Sequence, residues 1–318
     1  MKKGFRLIVP AIMACFTLSG CELFSSNKNT SKDYGAYYKG YNLSLTGGKL
    51  ANELQVLCFT KHTHWVSYAQ VNSYYAKRTT ADGYYNSVEA IEDGSDQNQW
   101  FYTGLPKTGY GTREHVWPCA NSGGLWEHGS NNTLGGYSEA DYIGGGSDLF
   151  HVRTCDSNVN SARGNSNYVD FDDPEMSKFS ASDIKTYPTS GGGWKLKLQG
   201  LDSNNQYAKY CEPDDNMKGD IARIVAYVWL HYSARGANIT GEYTHNGRVV
   251  KYTEMTGNLA LPSIMGYTDL NRCKEKLKEW NKLDAPSAIE KLRNDTVQNI
   301  QGNRNPFVDY PELMDQIF

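Results

Sequence analysis

The chain has 318 residues, with 32 Lys and Arg against 35 Asp and Glu and a formal charge of −3. Hydrophobic residues make up 39%, with 23 Tyr and 7 Trp, enough for a sizeable core, which argues against wholesale disorder. No run reaches the ~20 apolar residues of a spanning helix, and the acidic balance argues against holding nucleic acid by bulk positive charge, though not against a local grip on phosphate.

The N-terminus opens with Lys2, Lys3 and Arg6, followed by an apolar run from Leu7 to Leu18 and then Ser19-Gly20-Cys21. A positive segment, a short apolar segment and a small-residue site form a secretory signal, and this ending resembles the lipobox of bacterial lipoproteins. Residues 1–20 are therefore expected to be cleaved, with Cys21 lipidated and residues 21–45 a polar tether to the envelope. Cleavage removes three basic residues and no acids, so the remaining chain carries 29 basic and 35 acidic side chains, a charge of −6.

Residues 49–78 have helical spacing in two pieces: Leu50, Leu54, Leu57 and Cys58, then Tyr68, Val71, Tyr74 and Tyr75. Residues 82–112 read as loop and short strands. Residues 119–147, with Gly123-Gly124, Gly135-Gly136 and Gly144-Gly145-Gly146, read as a long surface loop. A Trp194–Leu198 alternation follows Gly191-Gly192-Gly193. Residues 217–234 form a helix with Ile221, Ile224, Val225, Val228 and Trp229 on one face. Asn246-Gly247 within residues 239–254 is a hairpin signal. Helices follow from Thr268 to Asn281, with Leu270, Cys273, Leu277 and Trp280 inward, and over 286–300. Helices and strands without regular alternation make the class α+β.

Beyond Cys15 and Cys21, five cysteines remain: Cys58, Cys119, Cys155, Cys211 and Cys273. An exported compartment permits disulfides, and Cys119 with Cys155 is one candidate pair. No CxxC or CxxH spacing supports a structural zinc site. His62, His64, His128, His231 and His245 lack a consistent ligand spacing and carry no assigned role.

Three segments carry chemistry: Arg113-Glu114-His115-Val116-Trp117-Pro118; Asp148-Leu149-Phe150-His151-Val152-Arg153 running on to Asn158-Val159-Asn160-Ser161-Ala162-Arg163-Gly164-Asn165; and Gln301-Gly302-Asn303-Arg304-Asn305-Pro306-Phe307. Phosphodiester hydrolysis needs a base for water and positive charge for the phosphate and the leaving oxygen. A neutral histidine such as His115 suits the first task. A hard cation held by one carboxylate and one amide oxygen, Glu114 and Asn160, suits the second, and Arg153 and Arg163 carry forked donors for phosphate. On an extended strand Glu114 and His115 point to opposite faces, so one site uses both only where the strand ends, bends or bulges; Pro118 fits a strand end.

These motifs, with Gly219-Asp220-Ile221-Ala222-Arg223, resemble in residue type and order the bacterial endonuclease I family, exported non-specific nucleases of the ββα-metal, or His-Me finger, superfamily. The resemblance runs from about residue 48 to the C-terminus. It implies a single domain over 46–318 whose ββα-metal core, formed by strands around Glu114 and 148–153 and a helix around 158–165, is embedded in a largely helical body with long loops. It implies His115 as general base, Glu114 and Asn160 as ligands of Mg²⁺ (with Mn²⁺ or Ca²⁺ as substitutes), and 5′-phosphate products. DNA is the expected substrate and RNA a second one, for a monomer attached to the membrane only by its lipid. Two departures stand out: Phe150 replaces a histidine common in relatives, and residues 116–152 hold no arginine to meet the phosphate. The alternative is an inactive surface lipoprotein that binds nucleic acid or glycan.

Overall fold

The computed structural model describes residues 34–75, 100–103, 111–121, 125, 141–177, 182, 184–187, 196–199 and 210–318. Cys21 and the leader lie outside these, as do Gly123-Gly124, Gly135-Gly136 and Gly191-Gly192-Gly193. The chain divides into Met1–Lys39 and Gly40–Phe318; the described part of the first is a helical turn, Gly35–Tyr38, and everything below concerns the second.

The expected two-piece helix is α1 (Gly47–Lys61), which buries Leu50, Leu54, Leu57 and Cys58, and α2 (Tyr68–Tyr75). Strand β1 (Thr112–His115) pairs antiparallel with β2 (Val152–Cys155), with Glu114 opposite Arg153. Helix α3 (Ser157–Arg163) follows at once, capped by the Asp156 carboxylate on the amides of Asn158 and Val159. The strand expected around 148–153 thus begins later: the amides of His151 and Val152 bond back to the Asp148 carbonyl, closing a turn before β2.

A four-stranded sheet in the order β3-β6-β5-β4 is built from β3 (Asn167–Tyr168), β4 (Ile184–Tyr187), β5 (Leu196–Gln199) and β6 (Tyr210–Glu212). The core is organised on α4 (Asp215–Tyr232), capped by Asp214 and buried along nearly its whole circumference; a helix apolar on all sides belongs inside the protein. The hairpin is β7 (Glu242–His245) and β8 (Arg248–Lys251), with Asn246 and Gly247 both at positive φ as its twist-matched turn requires. Helices α5 (Leu270–Leu283), α6 (Ala288–Gln301), α7 (Pro306–Asp309) and α8 (Leu313–Ile317) complete the chain. Cys273, Leu277 and Trp280 of α5 face inward, whereas Leu270, in its first turn, is half exposed.

The Gly219–Arg223 motif is the joint between α4, α5 and α6. A Cβ on Gly219 would stand 1.8 Å from the Asp284 carbonyl oxygen, so only glycine lets the end of α5 approach. Arg223 then donates to Asp220, the Asp284 carbonyl, Asn281 and both oxygens of Glu290. All five described cysteines are free thiols. Cys155 is buried with its sulfur toward the Phe101 carbonyl, so the candidate Cys119–Cys155 bridge is absent.

Two carboxylates thus bind one guanidinium with a third, that of Asp284, on the nearby Gly219 amide, and burial with the Asp220 charge raises the Asp284 carboxyl to about 7. A carboxyl raised by folding contributes stability that is fully present below its ordinary range and is lost as pH rises through its folded value. Asp284→Asn keeps an acceptor for the Gly219 amide and cannot ionise. Its melting temperature relative to the parent is expected to climb from about pH 5 to about pH 7 and to level off above that, and a pH-independent difference would contradict this account.

Candidate active site

The chemistry-bearing side chains gather where β1 ends. Glu114 is 2% exposed and faces the interior, where its Oε1 accepts from the Tyr102 hydroxyl at 2.6 Å and pairs with Arg163 at 3.1 Å. Both contacts fall on Oε1. Burial pushes the Glu114 carboxyl above its ordinary range, opposed by the Arg163 charge and the Tyr102 hydrogen bond. Tyr102 is held at φ 74°, a conformation bulky residues rarely adopt, and its hydroxyl also meets that of Tyr168 at 2.6 Å.

Arg163, at the end of α3, acts as a clamp. Its guanidinium donates to the carbonyls of His115, Val116 and Gly164 besides pairing with Glu114, and it is 1% exposed. Tyr168 donates to the same Val116 carbonyl. These donors satisfy the carbonyls that emerge as the strand ends, as the sequence motif requires. Arg153 is also buried, its guanidinium 4.3 Å from the Phe101 ring centroid.

One turn back along α3, the Asn160 side-chain nitrogen donates to Thr112 Oγ1 at 2.8 Å and to the Arg113 carbonyl at 3.3 Å. Both amide hydrogens are therefore engaged and the oxygen is presented instead. Glu114 shares a face of β1 with Thr112, to which Asn160 is bound, and a carboxylate with an amide oxygen is the kind of donor chemistry a hard, oxygen-seeking cation takes. These residues fit Mg²⁺ far better than a thiophilic ion.

His115 points to the other face. Its Nε2 lies 2.8 Å from the Gly146 carbonyl, which can only accept, so Nε2 carries the proton and Nδ1 the lone pair. The ring stacks 5.6 Å from Tyr68 and lies 5.5 Å from His151. Burial, then the neighbouring His151, lowers its pKa to about 3, so the imidazole is neutral near pH 7 and can accept a proton. The structure thus pairs Glu114 with Arg163, ties Asn160 to Thr112 and Arg113 of the same strand, and gives His115 separate partners on the opposite face.

Further contributors had no role assigned from the sequence. Gly145 and Gly146, expected in a surface loop, form a buried turn instead, since a Cβ on Gly145 would come 2.8 Å from Leu125 and 3.1 Å from Tyr232. Their carbonyls hold the two histidines, Gly145 taking His151 Nδ1 at 2.6 Å. His151 Nε2 in turn accepts from the Trp117 amide at 2.9 Å. Arg113, on the face of His115, lays its guanidinium 3.4 Å from the Tyr68 ring centroid and donates to the Tyr68 carbonyl. Phe150 is buried and packs edge-on against Tyr227.

This arrangement coincides with a family match. The Endonuclease I family model covers residues 46–312. The chain belongs to the endonuclease I family. The extracellular ribonuclease of Bacillus amyloliquefaciens is 30% identical over 311 residues, covering 96% of this chain and 87% of that protein. The extracellular ribonuclease of Bacillus subtilis (strain 168) is 29% identical over 287 residues, covering 90% and 79%. Membership makes this chain a nuclease, a hydrolase of phosphodiester bonds, whose substrate is nucleic acid.

Removing one partner of a buried ion pair leaves the other charge uncompensated, at a cost of about 3–5 kcal/mol. Arg163→Met strands Glu114 and strips the His115 and Val116 carbonyls of their donor. Urea unfolding is expected to register a loss of that size, and a loss below about 1 kcal/mol would mean that the clamp does not hold the strand end.

Proposed function

We propose that this protein is an exported endonuclease, anchored by lipid on Cys21, that hydrolyses RNA and DNA with little sequence preference, using a divalent metal and a histidine base. The observation that carries this reading is the division of labour at the end of β1. The Glu114 and Asn160 oxygens are presented on one face, and an oriented neutral His115 stands on the other. The names of the Bacillus relatives favour RNA as a substrate, and DNA was the expectation from sequence. On this reading β1, β2 and α3 form a ββα-metal unit.

Glu114 and Asn160 would hold the ion, Mg²⁺ being the best match to an all-oxygen donor set. When bound, it supplies positive charge to the scissile phosphate and to the leaving 3′ oxygen. His115 Nδ1 takes a proton from the attacking water while Nε2 stays fixed on Gly146, so the ring cannot turn away as it gains charge. Arg163 and Arg153 are buried, and Arg113, which shares the His115 face of β1 and rests on Tyr68, would be the arginine to meet the nucleic-acid backbone.

Cleavage of a labelled single-stranded RNA and nicking of a supercoiled plasmid test this directly. Wild type is expected to cut both in Mg²⁺ and to stop on chelation. His115→Ala should lose about 10²-fold or more in rate, and Asn160→Ala should need a higher Mg²⁺ concentration for half-maximal rate. Substrate that shifts on a gel without being cut would favour a binding lipoprotein. Full activity in His115→Ala would remove the base.

A further inference from the structure

Three ligand-capable side chains outside this chemistry meet in the core. His62 follows α1, Asp148 lies in the turn before β2, and His231 is in the last turn of α4. None exceeds 2% exposure, and one ligand atom of each lies within 4.8 Å of the others. Among the described residues this is the cluster of histidines and acids close enough to share an ion.

Asp148 is well served. Its Oδ1 accepts from the Phe150 amide and Gln301 Nε2, and its Oδ2 from the Tyr227 and Tyr232 hydroxyls, both at 2.6 Å. The histidines are not. Neither ring nitrogen of His62 has a hydrogen-bond partner of normal geometry, nor does Nε2 of His231. Buried polar nitrogens without partners are uncommon and costly. His62 is stacked on Trp65 with centroids 3.6 Å apart, which fixes its ring plane.

The tautomer of His231 follows from one hydrogen. Tyr227 has a single hydroxyl proton, and donating it to Asp148 makes His231 Nδ1, 2.8 Å away, the donor to the tyrosine oxygen. The lone pair of His231 then resides on Nε2, the atom without a partner.

We propose that His62, His231 and Asp148 bind a structural transition-metal ion of the Zn²⁺ class, distinct from the hard cation at Glu114 and Asn160. Two neutral imidazoles and one carboxylate suit zinc and disfavour Mg²⁺, which seeks oxygen and keeps its waters. Burial keeps both imidazoles neutral, the form that ligates, with His62 lowered to about 4. Tyr227, Tyr232 and Gln301 form the outer hydrogen bonds that orient the carboxylate. Ligand atoms about 2.0–2.1 Å from a tetrahedral ion lie about 3.3 Å apart. One ligand atom of each of the three residues already lies within 4.8 Å of the others, so the side chains need only draw inward to close the site. With no surface exposure, the ion enters as the chain folds. It would tie the end of α1 to α4 and to the Asp148 turn, beside the Gly145 and Gly146 carbonyls that hold His151 and His115.

The test is the metal content of protein purified without chelator and dialysed into Mg²⁺ buffer. About one zinc per chain is expected. Chelation should lower the melting temperature by about 5 °C or more, with recovery in Zn²⁺ and none in Mg²⁺. Co²⁺-loaded protein should show visible d–d absorption. His62→Gln and His231→Gln should lose the zinc and the bands. His64→Gln, at an exposed neighbour, and Glu114→Gln should keep both. Should the core variants fail to fold, the wild-type chelation and Co²⁺ series decides alone. Zinc-free protein whose melting temperature ignores added Zn²⁺ overturns the proposal, as does wild-type zinc content in folded His62→Gln.

Discussion

The buried pairing of Arg163 with Glu114 governs the candidate site. One guanidinium satisfies the last carbonyls of β1, neutralises the inward carboxylate and ties α3 to the strand. Both contacts to Glu114 fall on Oε1, and because side chains alternate along a strand the next one, His115, stands on the opposite face. Neighbours on a strand diverge, and Glu114 and His115 do so here, each with its own partners.

The second constraint is Asp148. Its four hydrogen bonds draw together α4 through Tyr227 and Tyr232, α6 through Gln301, and the turn that launches β2. Burial would raise this carboxyl, yet with the hydrogen bonds from the tyrosine hydroxyls it stays below its ordinary range. The Gln301–Phe307 motif is explained in the same terms. Gln301 accepts from the Leu149 amide, and Arg304 binds Asp295, Gln298 and both oxygens of Asp309. The site is thus positioned by hydrogen bonds that converge from distant parts of the chain.

Much of this was legible in local patterns. Helical spacing located α1, α4, α5 and α6, and Asn246-Gly247 located the hairpin, because caps and periodicity act over a few residues. Motif order marked Glu114, His115, Asn160 and Arg163. The Gly144–Ser147 turn was misread as surface loop because glycine-rich composition looks alike whether it serves exposure or close packing. The Tyr102 hydroxyl, the Arg113–Tyr68 stack and the meeting of His62, Asp148 and His231 join segments far apart in sequence, and no spacing rule reports them. Net charge argued against binding by bulk positive charge and left open a local grip on phosphate.

The central claim is that Glu114 and Asn160 present oxygens to one hard cation beside His115. Anomalous diffraction from crystals of His115→Ala protein soaked in Mn²⁺ tests it most directly. The account predicts one strong peak within coordination distance of Glu114 Oε2 and Asn160 Oδ1. A peak elsewhere, with Glu114 still bound to Tyr102 and Arg163 and nothing at its second oxygen, would contradict it.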